Sequence, residues 1–165
     1  MSQRLVVTTL ALSLALLSST AKAQMPNPYG MPVTLENAKK AAAASMAEAH
    51  KNNWAMAVAV VDPAGILVYY EKMDGTQLGS ATVAVEKARS SALFKRPTKA
   101  FQDALAAGGE GLRILGLKGA VPVEGGNPLI MDGKFVGAIG VSGGTSAQDN
   151  QVSKAGAEAL SPAPK

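Results

Sequence analysis

The segment from Trp54 to Met73, WAMAVAVVDPAGILVYYEKM, constrains the fold more than any other. Trp54, Met56, Val58 and Val60 alternate with Ala55, Ala57 and Ala59, a period of two that belongs to a β-strand. The alternation is also unequal in size. Large side chains fill one face, while alanines let another element pack closely on the other. Asp62-Pro63-Ala64-Gly65 then forms a tight turn, since proline presets the first corner and glycine allows a positive φ. Ile66 to Met73 returns as the partner strand of a hairpin.

The remaining elements follow from periodicity and punctuation. Thr34 is a predicted N-cap with Glu36 in the first turn, and Leu35, Ala38, Ala42, Ser45, Met46 and Ala49 fall on one helical face. Ser80 caps a second predicted helix, Ala81 to Lys95, with a stripe of Ala81, Ala84, Val85, Ala88 and Ala92. Pro97 stops it, because the residue before a proline disfavours α geometry. Thr98 can cap a short third helix through Leu105, and Gly108, Gly109 and Gly111 mark a loop. A strand is predicted at Ala120 to Val123. Leu129 to Met131 and Lys134 to Val141 are joined by Asp132-Gly133, a strong hairpin signal. Thr145 or Ser146 caps the last helix, with Gln148 or Asp149 completing a box-like start, and Val152, Ala155 and Ala159 face inward.

Hairpins rather than repeated βαβ units imply an α+β fold, an antiparallel sheet of about five strands flanked by helices in a single domain. That domain spans residues 34–161. Residues 24–33, with three prolines and a glycine in QMPNPYGMP, read as a linker or N-terminal arm, and residues 162–165 as a C-terminal tail.

The first 23 residues have the form of an export signal: Arg4 in a short positive region, an apolar run from Leu5 to Leu17, and Ala21-Lys22-Ala23 as a small-x-small cleavage site. The apolar run is shorter than the roughly 20 residues of a comfortable membrane span. The expectation is a periplasmic or secreted protein with no membrane span after cleavage. Loss of Arg4 and Lys22 lowers the formal net charge of +4 to about +2, too little for a nucleic-acid partner. The chain has no cysteine and one histidine, His50. Disulfides, thiolate chemistry, Cys-type zinc sites and multi-histidine metal sites are therefore excluded.

Gly140-Val141-Ser142-Gly143-Gly144 matches the G-x-S-x-G elbow of serine hydrolases literally. No histidine follows Ser142 to act as its base, so Ser142 reads as a turn residue. Gly137 and Gly140 lie inside a strand that a helix or neighbouring chain approaches closely, and Gly143 and Gly144 turn that strand into a helix. No phosphate-binding loop of the usual patterns is present. Asp149 also opposes an anion at the last helix. Carboxylates such as Asp62, Asp74 and Asp132 sit in predicted turns and offer no acid/base pair, which weighs against an enzyme.

Two features remain for binding. His50 sits at the flank of the first helix's stripe near its end, either as a surface histidine favoured by the helix dipole or as an axial ligand to haem iron. Lys87, Arg89, Lys95, Arg96 and Lys99 place five positive charges within thirteen residues. They form either a solvated helix face or a site for carboxylates such as haem propionates or a small organic acid.

VAVVDPAG, MDG, EKAR with SALFKRPTKAF, and AVPVEGGNPLIMDGKFVGAIGVSGGTSAQD followed by AGAEAL resemble the GlcG/HbpS haem-binding family. The resemblance runs from about Val33 to Leu160. It implies a profilin-like fold and a homo-oligomer. It also implies haem binding outside the cytoplasm for some members, one of them accessory to a sensor kinase. Related domains occur beside glycolate oxidation genes or fused to corrinoid adenosyltransferases. A threonine implicated in haem-iron binding in the family corresponds to Thr98 in RPTKAF.

The expected function is that of an exported haem-binding protein for storage or sensing. Its cofactor is haem, with His50 and Thr98 as candidate iron ligands and Lys87, Arg96 and Lys99 as candidate cofactor contacts. The alternatives are an accessory or small-acid-binding module tied to an oxidase of 2-hydroxy acids, and an enzyme degrading haem or a small metabolite.

Overall fold

The structure, a computed structural model, describes residues 27–161. The export signal and the tail expected at 162–165 lie outside them. The described chain runs α1 (Leu35–Lys51), β1 (Ala57–Val61), β2 (Leu67–Lys72), α2 (Leu78–Phe94), α3 (Lys99–Ala106), a 3-10 segment (Gly109–Gly116), β3 (Gly126–Met131), β4 (Lys134–Ser142) and α4 (Ser146–Glu158). The strands form one antiparallel sheet in the order β2-β1-β4-β3. The α+β architecture stands as the alternation implied.

The unequal alternation of β1 decides how the helices are layered. Met56, Val58 and Val60 join Leu129, Ile139 and Val141 against α1 and α4, which contribute Ala38, Ala42, Met46 and Val152. On the opposite face, Ala57, Ala59, Val61 and Ala138 meet Ala84, Ala88 and Ala92 of α2. Methyl groups on both sides bring the α2 backbone down onto the sheet. Gly140 of β4 completes this contact, because a Cβ there would overlap the Ala84 carbonyl oxygen and the Ala88 amide nitrogen.

Several local expectations change. Leu35 is 52% exposed rather than part of the α1 stripe; Val33, just before the Thr34 cap, is the residue buried there. Helix α2 starts earlier than Ser80, at Leu78, with Gln77 at the cap position and no side-chain cap bond. The strand expected at Ala120–Val123 does not form, leaving four strands among the described residues rather than about five. Helix side chains instead take up amides at and just beyond the segment. The Val121 amide donates to Ser90 Oγ (2.9 Å), and the next amide past the segment, Glu124, donates to Gln102 Oε1 (3.0 Å). Helix α4 begins at a full capping box of Thr145 and Gln148, which leaves Asp149 for another role.

The described part of the 24–33 segment is an arm held against the sheet. The Gly30 amide donates to the Phe135 carbonyl, the Phe135 amide to the Pro28 carbonyl, and the Val33 amide to the Val136 carbonyl, each at 2.8 Å. Strand β1 pairs with β4 only as far as Ala138, so the arm takes over the vacated side of β4. Lys95, in the left-handed conformation that ends α2, donates to the Asn27 carbonyl and lies over the Tyr29 ring, 4.2 Å from its centroid.

Gly140→Ala is expected to destabilise the protein by about 1–3 kcal/mol, because backbone must shift to admit the methyl group. Gly79→Ala, where a Cβ meets nothing within 4 Å, should be neutral or slightly stabilising in its helix. Urea unfolding of the two variants checks the contrast, and equal midpoints would contradict the close α2–β4 contact.

Candidate functional site

Thr98 lies where the chain leaves α2, turns through Arg96-Pro97 and enters α3. It stands at the cap position of α3 without a side-chain cap bond. Its hydroxyl instead accepts from the Gly126 amide (2.9 Å), and its own amide donates to the Gly126 carbonyl (2.9 Å). The pair of bonds seals the α2–α3 elbow onto the first residue of β3, with Thr98 fully buried. An iron atom reaches that oxygen only if the elbow opens.

The five cations that are close in sequence do not form one surface. Lys87 is 1% exposed, and its ammonium donates to Asp149 Oδ2 (2.7 Å) and to the Val141 carbonyl (3.2 Å). Arg89 Nε donates to the Gly65 carbonyl (3.1 Å), and Lys95 is turned to the arm. The Arg96 guanidinium sits 5.5 Å from the Phe101 ring centroid. Lys99 bonds Asp103 at 2.6 and 2.9 Å. The Asp103 hydrogen bond raises the Lys99 pKa, with charges on Asp103 and Glu124 acting in the same direction against a smaller effect of desolvation. Arg96 and Lys99 thus stand at the α2–α3 elbow, the first over an aromatic ring and the second in an exposed pair with Asp103. Helical rotation disperses the run: residues adjacent in sequence point to different sides of α2 and α3.

Lys87 and Asp149 form a buried polar centre, where sequence reasoning gave Asp149 a capping role and a charge opposed to anions at α4. Asp149 Oδ1 also accepts the Gly144 amide (2.9 Å). Burial pushes the Asp149 carboxyl above its ordinary value, opposed by the Lys87 hydrogen bond and charge and by the Gly144 and Gly143 amides. At Gly125, φ +122°, a side chain has no room: a Cβ there would run into the Val141 carbonyl oxygen, Asp149 Cβ and Lys87 Nζ. One pair thus joins α2, α4, the end of β4 and the loop before β3. The adjacent glycines of EGGN and VSGG were the available signal. Ser142 closes β4 opposite Ala57 and is buried rather than in a turn; its hydroxyl donates to Ser80 Oγ (3.2 Å).

His50 is exposed in the last turn of α1. Asn53, at φ 57°, returns its amide to the His50 carbonyl (3.1 Å), and Trp54 returns its own to Ala49 (3.0 Å). This turn delivers Trp54 beside His50 at the entrance to β1. The two line an open cleft of about 590 Å³ with Lys72, Met73 and the carboxylates of Glu71 and Asp74. Met73 is anchored by Sδ accepting the Met56 amide (3.4 Å). The cleft contains an imidazole bonded to no described protein atom, an apolar indole and thioether, and an ammonium. These are the kinds of group a haem needs. The cleft lies against β2, whereas Thr98 is held to β3 at the other edge of the sheet. The two candidate iron ligands therefore do not share one site in a single chain. Among the described residues, no group of three or more His, Cys, Asp or Glu side chains is placed to hold a metal ion.

Comparison with known proteins matches residues 33–158 to the family described as "Haem degrading protein HbpS-like". Protein GlcG of Escherichia coli K12 is 40% identical over 100 residues, which cover 61% of this chain and 73% of that protein. Among solved structures, a double mutant of Streptomyces reticuli HbpS superposes with a TM-score of 0.72 at 32% identity, covering 79% of this chain and 88% of that one. A PduOC:heme complex has a TM-score of 0.70 at 25% identity, covering 79% and 96%.

Removal of one member of the buried pair should cost far more than removal of both. Asp149→Ala strands a buried ammonium and is expected to cost about 3–5 kcal/mol. Lys87→Met combined with Asp149→Asn, which keeps an acceptor for Gly144, should recover most of that loss. Denaturant unfolding of the single and double variants measures the difference; a loss below about 1 kcal/mol for Asp149→Ala would deny the pair its structural role.

Proposed function

The chain belongs to the HbpS-like family, and from that premise we propose that it is an exported haem-binding protein whose iron ligand is His50. The observation that carries the reading is the cleft at the end of the first hairpin, where the chain's one imidazole stands free beside Trp54, Met73 and Lys72. Bound haem would supply a redox-active, coloured iron centre. His50 would ligate it, Trp54 and Met73 would cover part of the porphyrin face, and Lys72 would meet a propionate. Glu71 and Asp74 on the same rim disfavour more than a few anionic contacts. Thr98 is the second candidate for the iron, and it requires an opened elbow. Arg96 and Lys99 flank that elbow rather than the cleft.

In this reading the protein stores or presents haem as a homo-oligomer in the periplasm or outside the cell, after cleavage behind Ala23. Partner classes are a sensor kinase or an oxidase. A second reading, haem breakdown, draws on the family's description. Storage is the preferred reading, with His50 committed to the iron as its ligand rather than acting as an acid or base.

A visible absorption titration with haem tests the site. Ligand replacement is expected to cost at least as much as loss of an outer-shell partner, so His50→Ala should weaken binding by about 10–100-fold and displace the Soret band. Thr98→Val should leave the spectrum unchanged. The reverse pattern assigns the iron to the elbow. Steady loss of the Soret band under reductant and oxygen would replace storage by breakdown. Mass spectrometry of the exported protein should find Gln24 at or very near the new N-terminus, and an intact Met1 chain in the membrane fraction would contradict export.

A further inference from the structure

Helix α2 ends on a lysine where a glycine is usual. Lys95 takes the left-handed conformation, φ 50° and ψ 41°, which a side chain with a Cβ disfavours. The bonds that close the helix there are long. The Lys95 amide donates to the Ala92 carbonyl and the Arg96 amide to the Ser91 carbonyl, both at 3.3 Å. Contacts from a distant part of the chain hold this residue. Its ammonium donates to the Asn27 carbonyl and lies 4.2 Å from the Tyr29 centroid and 5.7 Å from that of Phe135. Tyr29 stands edge-on to Phe135, with centroids 5.7 Å apart, and Asn27 Nδ2 donates to the Gly133 carbonyl (2.8 Å). Beyond Lys95, Pro97 fixes a backbone angle and Thr98 follows. The grip of Thr98 on Gly126 therefore starts from a backbone turn that the arm steadies.

We propose that the N-terminal arm is a strap that keeps the α2–α3 elbow closed, and that Lys95 is the positioning residue through which it acts. With the strap docked, the carbonyl bond and the ring contact offset the cost of the left-handed turn, and Thr98 Oγ1 stays committed to the Gly126 amide. With the strap lifted, nothing offsets that cost. The elbow then opens more often, and the Thr98 hydroxyl reaches solvent. The arm is built to lift. Tyr29 is 61% exposed and Met31 84% exposed, and a single isolated bridge, Tyr29 to Phe135, joins the arm to β4 as a strand would. Val33, buried at the base of the arm, anchors the residues that move. On the other side of the elbow, Phe94 and Phe101 pack edge to face at 5.2 Å and keep α3 attached to α2 while the elbow opens. The device goes beyond the choice of iron ligand, because it operates without haem and decides when Thr98 is available to any ligand.

Amide hydrogen exchange of the purified mature protein without haem, followed residue by residue by NMR, tests the strap. The reporters are the two amides that close the elbow, that of Thr98 to the Gly126 carbonyl and that of Gly126 to Thr98 Oγ1. The Trp54 amide, bonded to the Ala49 carbonyl at the end of α1, is the control. Tyr29→Ala is expected to speed exchange at both reporters about fivefold or more and to leave the control unchanged. Lys95→Gly adopts the left-handed turn without help, so in that background Tyr29→Ala should change the reporters by less than about twofold. Reporters that keep their wild-type rates in Tyr29→Ala overturn the proposal. If Tyr29→Ala speeds the control as well, the Lys95→Gly background decides. Equal acceleration of the reporters with and without Lys95 means that the arm adds only general stability, and the strap is then rejected.

Discussion

The close approach of α2 to the small-residue face of the sheet governs the rest of the structure. Ala57, Ala59 and Ala138 meet Ala84, Ala88 and Ala92, and Gly140 lies directly beneath the α2 backbone. Interiors are packed at crystal-like density, so an interface made of methyl groups has almost no room for adjustment. The position of α2 then determines what its ends can do. Its start carries Ser80 to Ser142, its middle carries Lys87 to Asp149, and its left-handed end at Lys95 reaches the N-terminal arm.

The polar centre depends on that placement. A lysine buried to 1% exposure needs a carboxylate and acceptors at once, because a lone charge in a low-dielectric interior is costly. Asp149 and the Val141 carbonyl supply them, and the Gly144 amide holds the carboxylate. Such a pair is a poor source of net stability but a strict one of geometry. It admits only one arrangement of α2, α4 and the EGGN loop. That loop in turn presents the Gly126 amide and carbonyl that Thr98 grips.

The exposed His50 lies away from this rigid centre. The His50 cleft is made by a helix end and the open end of a hairpin, where the backbone turns through Asn53 and side chains face solvent. The 3-10 segment that carries Leu112 and Leu115 has no buried residue. The methyl-packed layer between α2 and the sheet leaves no room for a cavity, and the His50 cleft opens at the end of the fold instead.

Much of this was legible in the sequence. The two-residue period of β1, the Asp62–Gly65 turn, the alanine face that another element must cover, the Asp132-Gly133 hairpin and the Thr145 cap are all local properties, carried by nearest neighbours and short-range sterics. The family resemblance also rested on runs of adjacent residues. The tertiary structure alone decided which helix covers the alanines and that Val121 in the Ala120–Val123 segment bonds to Ser90 instead of joining the sheet. It alone separated Thr98 from His50 and divided five consecutive cations among a buried pair, two backbone carbonyls, an aromatic ring and an aspartate. Those outcomes depend on contacts between residues as far apart as Lys87 and Asp149. Their energies come from burial and desolvation, which exist only once the layers have closed.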